Sequence, residues 1–151
     1  MSKTASADLE RLSELLGKEL ELHEKIRKLT EDQTKLLAKD DIEALNISLE
    51  KREKLIEEIK GLHQESNPLM QSYTSLSSGE KEKHSEIGEL KNKTLEVIKA
   101  CSILNDKNMQ TIKEKTEDLT KEIDEKSAKR KGIGGYAQSV PNTPEMFDKK
   151  T

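Results

Sequence analysis

Leucine recurs at Leu15, Leu22, Leu29 and Leu36, one every seven residues. That interval is close to two helical turns, so the four side chains share one side of a helix. A strict seven-residue repeat keeps the seam facing a partner helix as the two wind around each other. Leu9, Leu12, Leu16, Ile26 and Leu37 widen the row into a stripe, and a first helix is predicted over residues 7–38. Gly17 lies inside it at a cost of roughly 1 kcal/mol relative to Ala.

The next break is Lys39-Asp40-Asp41. Asp40 followed by Glu43 at the third helical position resembles a capping box, which predicts a second helix over residues 41–64. Its inward positions are Ile42, Leu45, Leu49, Ile56, Ile59 and His63, flanked by Leu55 and Leu62. So short a connection favours an antiparallel hairpin. A single uninterrupted helix stays open, because neither Gly nor Pro enforces the break.

Residues 65–79 change character: Ser66, Asn67, Pro68, Ser72, Ser75, Ser77, Ser78 and Gly79 are turn and cap formers. Leu69, Met70, Tyr73 and Leu76 are interleaved with them, enough for one helical turn. Ser77 with Glu80 forms a second capping-box pattern, and the longest helix is predicted over residues 79–130. Leu90, Val97, Cys101, Leu104, Met109, Ile112, Leu119 and Ile123 supply its apolar face. Its second half is richer in Lys and Glu, so it is expected to fray or protrude past the second helix.

Charged residues make up 38% of the 151-residue chain and hydrophobic ones 31%. Such a ratio is lean for a compact globule but sufficient for a narrow bundle, which needs only a stripe of apolar side chains. Disorder is the competing reading of so polar a chain. The apolar residues are periodic, which rules it out for the body. The expected fold is therefore all-α: an elongated antiparallel helical hairpin or coiled-coil bundle of three long helices over residues 1–131, followed by a flexible tail over residues 132–151.

Several function classes fall away. The formal charge is −3 with acids and bases interspersed, whereas a nucleic-acid binder concentrates basic residues on one face. Lys129-Arg130-Lys131 complements a helix C-terminus. Neither a signal-peptide core nor a run near the roughly twenty apolar residues of a membrane span occurs, so no membrane insertion and a cytoplasmic location are expected. The single cysteine, Cys101, lies among Val97, Ile98 and Leu104 and reads as a small core hydrophobe.

His23, His63 and His84 lack the Glu-x-x-His spacing of bundle di-metal sites. A hairpin could bring His23 and His63 together, but a metal needs three or four ligands; neither metal nor cofactor is expected. Gly132-Ile133-Gly134-Gly135 precedes no helix and follows no strand, so it lacks the setting of a phosphate loop. The abundant Lys/Glu pairs are solvated i,i+4 partners, not acids and bases tuned in a dry cleft. Catalysis is not expected.

The tail has a different composition. Two of the chain's three aromatic residues, Tyr136 and Phe147, fall beyond the last helical periodicity, with Ile133, Val140 and Met146. Pro141 and Pro144 prevent helix recovery. Aromatic side chains are favoured anchors at protein–protein contacts, so the tail reads as a recognition segment.

The junction Leu36-Leu37-Ala38-Lys39-Asp40-Asp41-Ile42-Glu43-Ala44-Leu45, with the following Glu50-Lys51-Arg52-Glu53-Lys54-Leu55-Ile56-Glu57-Glu58-Ile59, resembles the FlgN-like family of flagellar type III export chaperones. Asn105 and Asn108 before Met109, Gly135-Tyr136, and the closing Phe147-Asp148-Lys149-Lys150 agree with that resemblance. It implies a chaperone that holds flagellar hook-associated (filament-junction) proteins soluble and delivers them to the export gate. It also implies that the C-terminal region takes part in capture and docking, which assigns partner binding to Ile133, Tyr136, Val140, Met146 and Phe147, together with Leu119 and Ile123 near the end of the third helix. The other reading is a structural coiled coil, self-associating or bridging, whose tail is a mere terminus. Exposed heptad faces favour association, which leaves a homodimer or a partner-completed bundle open.

Overall fold

The computed structural model describes the backbone of residues 3–134 and the side chains of residues 5–129. Among these, four helices and no strand occur: α1 (Lys3–Ala38), α2 (Ile42–Thr74), α3 (Ser78–Lys83) and α4 (Ser85–Gly134). The chain divides into two units, Met1–Asp106 and Lys107–Thr151.

In the first unit, α1 and α2 form an antiparallel hairpin. Its turn uses the two aspartates differently from the capping box predicted at Asp40. Asp40 takes a left-handed backbone with φ of 56°. Its N–H donates to the Leu37 carbonyl, and the Asp41 N–H donates to that of Leu36. This pair of bonds is a Schellman closure of α1. Asp41 is the N-cap of α2: its carboxylate accepts from the Ala44 N–H at 3.1 Å. The cap is one residue later than predicted because Asp40 is already committed to ending the previous helix.

The buried positions of α1 follow steps of three and four through Leu9, Leu12, Leu16, Glu19, Leu22, Ile26, Thr30, Gln33 and Leu37, with Leu15 buried beside them. The seven-residue leucine row shares Leu22 with this seam, whereas Leu15, Leu29 and Leu36 each stand one residue before a seam position, about 100° around the helix. Leu15 and Leu22 are still covered, but Leu29 and Leu36 are only half-buried.

Helix α2 continues ten residues past the predicted end at Gln64 and contains Pro68. An internal proline forfeits a backbone bond and costs about 3 kcal/mol in a helix interior. The packing beyond it overrides that cost. Leu69, Met70, Tyr73 and Leu76 close over Leu9, Leu12, Leu16 and Ile87. Pro68 is exposed, as is Gln64, whose carbonyl loses its partner N–H. A second cluster, Leu22, Ile26 and Ile59, is covered by Leu55, Ile56, Leu62 and Cys101.

The predicted third helix is two elements. Ser77 does cap at Glu80: its Oγ accepts from the Glu80 N–H at 3.3 Å and donates to the Glu80 carboxylate at 3.1 Å. That cap opens only the six-residue α3, because His84 leaves helical geometry (φ −120°, ψ 40°) before α4 begins. The first part of α4 runs parallel to α1. Ile87 joins the cluster around Leu12, and Cys101 Sγ lies 3.4 Å from Thr30 Oγ1. At its far end α4 is assigned to Gly134, so Gly132 and Ile133 are helical rather than the start of a tail.

Polar side chains separate the apolar clusters. Glu19 is buried, with one carboxylate oxygen accepting from Ser66 Oγ at 2.9 Å and the other 3.3 Å from His63 Nε2. Nearer the turn, Gln33 donates to Ser48 Oγ at 3.3 Å. Arg52 donates to Gln33 Oε1 at 3.2 Å and to Asn105 Oδ1 at 2.8 Å. One guanidinium therefore links α1, α2 and α4. Buried polar groups that match only in one alignment fix the register of packed helices.

Candidate partner-binding site

The second unit is built on the latter part of α4, where Ile112, Leu119 and Ile123 form a stripe with Thr116 at four–three–four spacing. That spacing sets them along one side of the helix. Leu119 is 37% exposed, and Ile112, Thr116 and Ile123 are half-buried. Three threonines turn their hydroxyls back onto the helix: Thr111 Oγ1 donates to the Lys107 carbonyl at 3.0 Å, Thr116 to Ile112 at 2.8 Å and Thr120 to Thr116 at 2.9 Å. Each hydroxyl is thus satisfied locally, and Thr116 presents its methyl group within the stripe without an unmet donor. The stripe can bury aliphatic surface from a partner; it carries no group for covalent chemistry.

Of the residues assigned to partner binding from the sequence, Leu119 and Ile123 are one helical turn apart on this stripe. Ile133 lies in the last turn of α4. Tyr136, Val140, Met146 and Phe147 lie outside the described residues. The third aromatic, Tyr73, belongs to the body: it packs in the Leu9–Leu12 cluster, and Lys81 Nζ stands 5.6 Å from its ring centre.

The asparagines of the α4 pattern have different surroundings. Asn105 is held by Arg52, Asn108 is buried, and the following Met109 is 47% exposed. Sequence reasoning missed further exposed aliphatics on α4, namely Leu95 (52%) and Ile103 (59%). Their spacing does not set them apart from core positions, because a helix with few apolar residues shows no sharp boundary to its inward face.

The hairpin brings His23 and His63 near enough to interact electrostatically. His23 is half-buried beside His63, and burial, then the neighbouring charge of His63, lower its pKa. Among the described residues no cluster of three or more His, Cys, Asp or Glu could hold a metal ion. None of the described helices is long and apolar enough to cross a membrane. Among known proteins, the family described as FlgN protein matches residues 1–137. No curated protein and no solved structure matches the chain.

Proposed function

Since the chain belongs to the FlgN family of flagellar export chaperones, we propose that it binds hook-associated (filament-junction) proteins in the cytoplasm, keeps them soluble and delivers them to the type III export apparatus. It acts by binding, not by catalysis. The observation that carries this reading is the extent of the family match, which takes in the helical body and the first residues after it.

The apolar stripe of α4 supports a site at the C-terminal end. Leu119 and Ile123 would bury against a client helix in the manner of an amphipathic groove-and-ridge contact. Ile133, Tyr136, Val140, Met146 and Phe147 would extend the contact, with the two rings as anchors. A contact built from a few such side chains yields moderate, reversible affinity, which suits a carrier that must release its client at the export gate.

Calorimetric titration of purified hook-associated proteins into the full chain tests the proposal. Binding is expected, and it should weaken in a Leu119→Asp/Ile123→Asp variant and in a chain ending at Lys131. Absence of binding by the unaltered chain would refute the chaperone reading. Undiminished binding by both variants would remove the site from the C-terminal region. A structural self-associating coiled coil would instead sediment as an oligomer and leave these clients unbound.

A further inference from the structure

A groove runs between α1 and α2 that the C-terminal site does not use. Leu29 and Leu55 line it, with Lys25 and Lys28 along one side and Lys51 and Lys54 along the other, around a volume of about 450 Å³. It continues toward the hairpin turn past Leu36, Ala44 and Ile47, the last of these 49% exposed. Among the described residues, both stretches are lined from α1 and α2. The part of α4 within the first unit packs on the hairpin through Ile87 and Cys101, which line neither stretch.

The charge around the groove runs against that of the molecule. The chain carries a formal −3, yet the four lysines face only two carboxylates in the first stretch, Asp32 and Glu58. Among the described residues none of the four lysines lies within ion-pair distance of a carboxylate. An apolar floor between rows in which lysines outnumber carboxylates complements a ligand that is aliphatic along one line and acidic on both sides of it. From Lys25 to Leu36 the groove follows α1 for roughly 16 Å, which is about three turns of helix. The hairpin already accepts a helix on another face, where Ile87 and Cys101 of α4 pack against it.

We infer that this groove docks an amphipathic helix of another protein, with Leu, Ile or Met along its stripe and Asp or Glu on both flanks. The helix completes a four-helix arrangement on the hairpin. Its apolar residues at i, i+3 or i+4, and i+7 rest on Leu29, Leu55 and Leu36, and its carboxylates meet the lysine rows. Complementary charge sets which helices are accepted, and aliphatic burial holds them. The inference does not depend on the C-terminal client site.

The test uses the full chain and two labelled synthetic peptides of about 18 residues, both with leucine at the stripe positions. One has glutamate at the flanks and the other lysine. Fluorescence anisotropy should show the acidic peptide binding at least ~tenfold more tightly, with an affinity that falls as salt is raised. A Lys25→Glu/Lys28→Glu/Lys51→Glu/Lys54→Glu variant should invert the preference, while circular dichroism shows the helices retained. Leu29→Asp should weaken both peptides.

Equal binding of the two peptides, binding of neither, or a preference that survives charge reversal would overturn the inference. So would sedimentation showing that the groove is occupied by a second copy, released as monomer by the same reversal. The Leu119→Asp/Ile123→Asp variant separates this site from the client site: it should keep the acidic peptide while losing hook-associated proteins.

Discussion

At the hairpin turn two adjacent aspartates serve opposite helix ends. The sequence pattern Asp-x-x-Glu fits Asp40 with Glu43, but the backbone needs a left-handed residue to close α1 before any cap can open α2. Asp40 supplies it with φ of 56°, and the capping role passes to Asp41. This one-residue displacement was not legible, because a cap is recognised from side chains alone and a left-handed closure most often advertises itself by glycine. Asp40→Gly should raise stability by about 0.5 kcal/mol: it relieves a Cβ that costs about 1–2 kcal/mol in the left-handed region, less for Asp, and part of the gain is lost to a freer unfolded chain. Asp41→Ala should lower stability by about 1 kcal/mol through the lost cap. Urea unfolding of the two variants gives opposite signs on this assignment. If Asp40 were the cap, Asp40→Gly would lose stability and Asp41→Ala would be close to neutral.

For the elements, the existence of α1, its hairpin with α2 and the apolar run of α4 were legible from periodicity. The identity of the seam was not. Both the seven-residue leucine row and the buried three–four series satisfy helical spacing; what separates them is that the true seam tolerates Glu19, Thr30 and Gln33. A reading that follows leucine cannot find polar core positions whose partners lie 47 or 71 residues away in the chain. Leu12, fully buried in the seam, should cost about 2–5 kcal/mol on substitution by alanine. Leu29→Ala should cost about 1 kcal/mol, because its side chain already meets solvent along the groove and leaves no closed cavity. Thermal or urea unfolding of the pair ranks them; equal losses would place Leu29 in the core.

The same elements are held in register by Arg52. A double-mutant cycle on Arg52→Ala and Asn105→Ala should return a coupling of about 0.5–3 kcal/mol, the range for residues in one polar network. Zero coupling would mean that α4 is aligned on the hairpin by aliphatic packing alone.

At the scale of the whole molecule, the proposed C-terminal site rests in the sequence on composition alone: clustered apolar residues and rings where helical periodicity ends. The lysine-edged groove was not legible at all, because its two rows come from different helices and only the hairpin register brings them face to face. The histidine pair lies between these cases, since a hairpin allowed His23 and His63 to be close but gave no sign that a buried carboxylate would share their layer. That layer gives the folded chain a pH dependence whose sign follows from His23. Burial and the charge of His63 on α2 hold its pKa below the ordinary value, so the unfolded chain takes up this proton first. Stability should be level, as far as His23 is concerned, above its unfolded pKa of about 6.5. It should fall as the pH drops from there through the lowered folded value. Glu19, one turn earlier on α1, faces the same layer: it receives Ser66 and stands 3.3 Å from His63 Nε2. Comparing unfolding free energies of the parent chain and His23→Gln on both sides of that pH isolates the contribution of His23. The parent should lose more on acidification than the variant. A parent and variant that lose equally would show that His23 ionises as freely folded as unfolded.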